Sequence, residues 1–159
     1  MAIDFEKFDK LVNNEEIQKQ MDSAPEYDDV PAGTYVADIK NMEVKTTKAG
    51  DKLMFSVSLQ IVETIDAPKK QDKRYIFFNR VICGNKNTEK WNDGRAIKGV
   101  ISWLDHFYDD GCGIEFKNYS QFSDDILDIY QEIGNTVQVK VDYSPDDFNP
   151  IEILDVFDV

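Results

Sequence analysis

Residues 53–62 read LMFSVSLQIV, and no other stretch limits the fold so tightly. Leu53, Phe55, Val57, Leu59 and Ile61 alternate with Ser56, Ser58 and Gln60. Successive side chains of an extended chain point to opposite faces, so this period gathers the apolar groups on one side and the polar groups on the other. A helix would scatter both sets. The run therefore predicts a strand with one face in a core. Residues 34–44 repeat the pattern, with Tyr35, Ala37 and Ile39 set against Asp38 and Lys40. The intervening TTKAGDK turns at Ala49-Gly50-Asp51, and the two strands are expected to form a hairpin.

A polar stretch, ETIDAPKKQDK, separates these strands from a third at residues 74–82, RYIFFNRVI. Its two faces are Tyr75, Phe77, Asn79 and Val81 on one side, and Ile76, Phe78, Arg80 and Ile82 on the other. An unpaired buried guanidinium is costly, so Arg80 and Phe78 are expected to face outward and Phe77 inward. Apolar residues at helical spacing follow: Ala96, Ile97, Val100, Ile101, Leu104 and Phe107, stopping at Asp109-Asp110-Gly111. A second helix is expected in SDDILDIYQEIG, with Ser123 as its N-cap and Gly134 at its end. Residues 136–143 form a fourth strand. Residues 151–156 are expected to close the sheet as a fifth, leaving only Asp158 and Val159 free. At the front, residues 3–21 have amphipathic helical spacing with a break at Asn13-Asn14, followed by an acidic linker over residues 22–33.

Three strands, a helical insertion and two strands are the element order of an OB-like five-stranded barrel, mainly β with added helices (α+β). A five-stranded α+β sandwich would give the same string. The expected organisation is an N-terminal helix and acidic linker over residues 1–30, then one OB-like domain over residues 31–159.

Little here supports catalysis. The single histidine, His106, falls among core positions of a helix, and neither Cys83 nor Cys112 has CxxC spacing or a histidine neighbour. A disulfide framework and a structural zinc site are therefore not expected, and a reducing cytosol fits. The pairs Asp109-Asp110, Asp124-Asp125 and Asp146-Asp147 lack calcium-loop spacing. No phosphate-binding glycine loop or activated nucleophile is present. We expect no enzyme, no cofactor and no metal. The N-terminus does not read as a signal peptide, and no apolar run approaches the ~18 residues of a membrane span.

The net charge of −13 is unevenly distributed. Residues 1–30 carry 3 Lys/Arg against 9 Asp/Glu, residues 31–100 carry 13 against 8, and residues 101–159 carry 2 against 14. The middle segment is thus a basic surface between acidic flanks. A single-strand nucleic-acid binder needs cations to track phosphates and exposed rings on which bases stack. Lys45, Lys48 and Lys52 flank the first hairpin turn; Lys73 and Arg74 precede the third strand; Arg80 lies within it; Lys86 and Lys90 follow. Phe78 and Trp91 are the expected stacking rings. Trp91, in a polar loop, is read either as docked on the fold or as meeting a ligand.

The stretches VPAGTYVADIKNMEVKTTKAGDKLMFSVSLQIVE, YIFFNRVI, YSQFSDDILDIYQEI and IEILDVF resemble a group of bacteriophage early-region proteins long catalogued as a domain of unknown function. Members of that group are commonly described as single-stranded DNA-binding proteins of phage replication and recombination. The P-x-G-x-Y start at Pro31, Gly33 and Tyr35 and the turn glycine Gly50 carry the likeness. One departure is TIDAPKKQDK after Glu63, where the likeness implies a glycine and a short basic turn. The resemblance implies a non-catalytic protein in the cytoplasm of a bacterial host, with single-stranded DNA and phage or host replication and recombination proteins as partners. It implies no membrane association and leaves homo-oligomerisation open. The rival expectation, from the acidic third of the chain, is a protein-interaction module or DNA mimic acting on a host enzyme.

Overall fold

Five antiparallel strands form one sheet in the order β3-β2-β1-β4-β5. They are β1 (Gly33–Thr46), β2 (Leu53–Asp66), β3 (Tyr75–Cys83), β4 (Val137–Tyr143) and β5 (Ile151–Asp158). The helices are α1 (Phe5–Asp9), α2 (Asn14–Ser23), α3 (Asp93–Asp105) and α4 (Tyr119–Ile133), so the architecture is α+β. The computed structural model describes residues 4–23 and 29–159, and residues 24–28 of the expected linker lie outside them. No described helix is long and apolar enough to cross a membrane.

The β1–β2 hairpin forms as its pattern requires. Thr47 N–H donates to Lys52 O at 3.0 Å, Gly50 N–H donates to Thr47 O at 2.8 Å, and Gly50 has φ 74°. A glycine takes that left-handed conformation without a Cβ clash. The P-x-G-x-Y start also has a physical cause. Tyr35 Oη donates to Pro31 O at 2.7 Å, while a Cβ at Gly33 would stand 2.4 Å from the Asp66 carbonyl oxygen. Only glycine lets β2 approach β1 this closely. β2 itself runs on to Asp66, through what the sequence presents as the start of a polar loop.

The inner phase of β1 changes partway along. Ile39 pairs with Leu59 and Asn41 with Ser58, which leaves Lys40 as an extra, exposed residue. This β-bulge moves the buried positions from Tyr35, Ala37 and Ile39 to Met42. α3 and α4 cover the inner face, burying Val100, Trp103 and Leu104 from one and Phe122, Ile126 and Ile133 from the other. α4 begins four residues before the expected Ser123. Asn118 accepts from Gln121 N–H at 2.8 Å, and the Gln121 side chain reaches back to Asn118 N–H. This reciprocal capping box satisfies two end donors, which a lone serine inside the helix does not.

β5 is a strand, as its alternation requires, but it pairs only with β4. Val159 is not free: its N–H donates to Thr136 O at 2.8 Å. β3 and β5 are the two edges, so the sheet does not close into the expected barrel. Side chains bridge the seam instead. Trp103 Nε1 donates to Ile151 O at 3.2 Å, and Arg80 Nη2 donates to Phe148 O at 3.0 Å and Asn149 Oδ1 at 2.7 Å.

Arg80 thus faces inward with Ile76, Phe78 and Ile82, contrary to expectation. The cost that argued against burial is met without a carboxylate among the described residues. The guanidinium carbon lies 4.1 Å from the Phe148 ring centroid and 5.2 Å from those of Phe78 and Trp91. Ring faces and two acceptors together replace the lost hydration. At the N-terminus α1 and α2 are split where expected, because Asn13 Oδ1 accepts from Glu15 N–H at 3.0 Å and starts a new helix. Their apolar side is not buried: Phe5, Phe8, Leu11 and Met21 are exposed.

Removing the Arg80 side chain leaves two acceptors and three rings without their donor. Arg80→Ala is expected to cost about 2–4 kcal/mol in urea unfolding, with Arg80→Lys recovering only part because the shorter lysine has no planar guanidinium to lay among the three rings. A change below ~1 kcal/mol would mean that desolvating the guanidinium cancels everything it gains.

Candidate nucleic-acid interface

The inward turn of Arg80 and Phe78 fixes what β3 presents outside. Consecutive residues of a strand point to opposite faces, so Tyr75, Phe77, Asn79 and Val81 form the outer row. β2 lies beside them with Gln60 opposite Tyr75, Ser58 opposite Phe77, Ser56 opposite Asn79 and Met54 opposite Val81. β1 continues the rows with Asp38, Asn41, Glu43 and Lys45. Across β2 the neighbours of Phe77 are therefore small or polar, and Tyr75 supplies the ring beside it. Phe77 is 54% exposed and Tyr75 is 46% exposed. Their rings stack side by side, 6.4 Å apart and 18° from parallel. Beside them Ser56 Oγ donates to Asn79 Oδ1 at 2.7 Å, a polar pair that holds the centre of the face.

Two clusters of cations bound this face at its ends. At one end Lys45 is exposed on the outer row, Lys48 stands in the hairpin turn, and the stem of Lys52 packs against Gly84. At the other end lie Lys69, Lys70, Lys73 and Arg74. Lys73 has φ 72°, a left-handed conformation uncommon outside glycine. Its N–H donates to Ile61 O at 2.7 Å while Ile61 N–H donates to Arg74 O at 2.8 Å. Two residues thus oppose one, a bulge at the entry to β3. Gln60 Nε2 secures it by donating to Lys73 O at 3.1 Å.

Arg74 is half-buried and donates from Nη1 to Gln71 Oε1 at 2.7 Å. In the same loop the Thr64 hydroxyl, helped by Lys70 at 3.6 Å, holds the Asp72 carboxyl below the usual carboxylate range. The middle of the face is not basic. Asp38 and Glu43 lie on it, and Asp38 accepts from Gln138 Nε2 at 2.9 Å. The ring pair stands on the edge strand β3 beside this polar middle, and positive charge gathers at the ends.

The residues singled out from the sequence thus divide into exposed, buried and half-buried, Arg74 being half-buried. Lys45, Lys48, Lys52, Lys73, Lys86 and Lys90 are exposed, and the first four bound the outer face of β2 and β3. Phe78 is buried, stacked on Trp103 at 5.6 Å and 2° and set edge-on to Phe55. Arg80 is buried with it. Trp91 is half-buried: Nε1 donates to Asn85 Oδ1 at 3.0 Å, and its ring meets Phe148 edge-on at 4.6 Å. It docks on the fold. Tyr75 and Phe77 are the rings that sequence reasoning missed. The usable signal was their sharing a face with Asn79, opposite the serines of β2. Choosing that face required knowing that Arg80 has acceptors across the seam.

Among the described residues no three His, Cys, Asp or Glu side chains stand together as a metal site. His106 Nδ1 lies 3.1 Å from the carbonyl oxygens of Ser102 and Trp103 at the end of α3.

Two adjacent phenylalanines should therefore respond oppositely to truncation. Phe78→Ala is expected to cost about 3–5 kcal/mol in denaturant unfolding, and Phe77→Ala less than ~1 kcal/mol. Equal losses would mean that both rings support the core.

No curated protein matches the chain. Residues 17–153 match the family described as protein of unknown function DUF669, and with most of its length matched in this way the chain belongs to that family.

Proposed function

We propose that this protein binds single-stranded DNA along the outer face of β2 and β3 and carries out no chemistry on it. The observation that carries the proposal is the exposed, stacked pair Tyr75 and Phe77. Two large rings standing clear of a sheet among serine, glutamine and asparagine contribute nothing to the core. They have the geometry of a platform on which unpaired bases stack, with cations at both ends to meet phosphates. Stacking of this kind tolerates any base, because every base has a π-face.

Sheet order adds support. With β1 between β2 and β4, the order is that of an OB plan left open between β3 and β5, and such folds bind oligonucleotides on the face of strands two and three. The resemblance to phage early-region proteins extends the proposal to a role in phage DNA replication or recombination, in the cytoplasm of a bacterial host.

Each base that stacks on a ring gains ~1–3 kcal/mol by alanine substitution, so Tyr75→Ala/Phe77→Ala should weaken binding of an oligothymidine at least tenfold while leaving the melt in place. Phosphate neutralisation sets the salt dependence. Replacing Lys45, Lys48 and Lys52 together by Ala should flatten the slope of log affinity against log salt by roughly 0.7 for each phosphate no longer neutralised. Fluorescence anisotropy at several salt concentrations measures both. Undiminished binding by the ring variant would refute this face as the platform. No binding by the wild type at any salt would favour the acidic protein-interaction rival.

A further inference from the structure

Phe77 and Phe78 point to opposite sides of β3, and the inner side opens onto a second surface. A cleft of about 640 Å³ lies between β3, α3 and β5, and another of about 520 Å³ continues between the end of α3 and β5. His106 and Ile153 line both, so the two form one groove along the free edge of β5. Apolar residues of its wall include Phe78, Trp103, Ile151, Ile153 and Val156. Its charged residues are Asp109, Asp147, Glu152, Asp155 and Asp158, all exposed, and no lysine or arginine lines either part.

The backbone along this groove is only partly used. Ser144 N–H bonds Pro150 O, and Val159 N–H bonds Thr136 O. Inward and outward positions alternate along an antiparallel ladder, and the register slips by one residue between Lys140 and Val141. Together these turn the peptide groups of Ile151, Ile153, Val156 and Asp158 away from β4. The Ile151 carbonyl already receives a donor there, Trp103 Nε1, and the Val156 N–H is met by Asp155 Oδ1 at 2.9 Å. Among the described residues, Ile153 and Asp158 keep an open edge.

We propose that this edge accepts an extended, lysine- or arginine-bearing peptide of a partner protein as a sixth strand. Main-chain bonds to Ile153 and Asp158 would hold it, and a third to Val156 would form as its N–H exchanges the exposed Asp155 carboxylate for a peptide carbonyl. Alternate apolar side chains of the peptide would enter the groove against Trp103 and Ile153, and the cations between them would lie on the opposite face with Asp155, while Asp158, three residues on, stands on the groove side. Charge selects this occupant over a second copy of the chain, since pairing two β5 edges would set Asp155 and Asp158 of one copy against those of the other. The bulge and the acids thus suppress self-pairing while admitting a cationic strand.

The test titrates the full chain with a ten-residue peptide of alternating valine and lysine, and with a valine–glutamate control. Val156→Pro removes one edge N–H that does not serve the β4 ladder, and edge strands tolerate proline at such positions. The valine–lysine peptide should bind saturably and more weakly as salt rises, with amide shifts confined to β5 and α3. Val156→Pro and Asp155→Lys/Asp158→Lys should each weaken it at least tenfold, and the glutamate peptide should not bind. If Val156→Pro loses its cooperative melt, the charge-reversed variant and the shift map decide alone. Absence of binding, equal binding by the variants, or shifts centred on Tyr75 and Phe77 would overturn the proposal. So would sedimentation showing a wild-type dimer that Val156→Pro dissolves, since the occupant would then be a second copy.

Discussion

Arg80 holds its charge inside the fold with no carboxylate within ion-pair distance among the described residues. Burial pulls its proton affinity below the ordinary guanidinium value, yet a guanidinium remains charged in proteins. Three aromatic rings, a carbonyl oxygen and an asparagine oxygen replace its water. These groups come from β3, from the segment after it, and from the turn before β5, so one side chain ties together elements distant in sequence. The parity of β3 follows. With Arg80 inside, Phe78 enters the core against Trp103, and Tyr75 and Phe77 have no place but the surface. The charge that closes the seam and the rings that stand outside are two consequences of one choice of face.

An open sheet needs such a device. A closed barrel removes its edges by pairing them, whereas here β3 and β5 remain apart and, among the described residues, side chains make the hydrogen bonds across the seam. Trp103 does so from α3, donating to the edge of β5 while its ring packs on Phe55 and Phe78. The bulges serve the same geometry. Lys40 on β1 and Lys73 before β3 each insert a residue without a ladder partner, which bends a strand and adds twist. At Lys73 the bulge also holds a lysine in a backbone conformation that suits glycine, next to an exposed aromatic pair. Strain of that kind persists where the surroundings over-determine it, here through Ile61 and Gln60.

Legibility followed the range of the interaction. The alternation of Leu53 to Ile61, the turn at Gly50 and the run from Ile151 are local patterns, and each marks a real element. The hairpin lysines were legible for the same reason, since a turn exposes its flanks. The faces of β3 were not, because every residue on both sides is apolar except Arg80, Asn79 and the hydroxyl of Tyr75. The rule applied to Arg80, that an unpaired buried cation is costly, is sound. It failed because the partners are Phe148 and Asn149, almost seventy residues away. Sheet closure was illegible likewise: β5 carries a strand pattern whether or not it finds β3. The cap of α4 was legible in principle, since Asn118 and Gln121 have capping-box spacing, and Ser123 only drew the boundary later.

The partition of charge now has a geometric counterpart. A chain of net charge −13 would repel a polyanion if its charges were smeared evenly, but in physiological salt exposed charges act over about 8 Å. Within that range the ends of the β2–β3 face present Lys45, Lys48, Lys52 and Lys73, while the free edge of β5 presents Asp155 and Asp158. Each surface is therefore governed by its own neighbourhood. The acids cannot cancel the lysines, and they disfavour an anion that strays toward β5. On the proposed reading, a strand bound at the ring face would be confined to that face by charge placed elsewhere, so the acidic excess would direct such binding and would not oppose it.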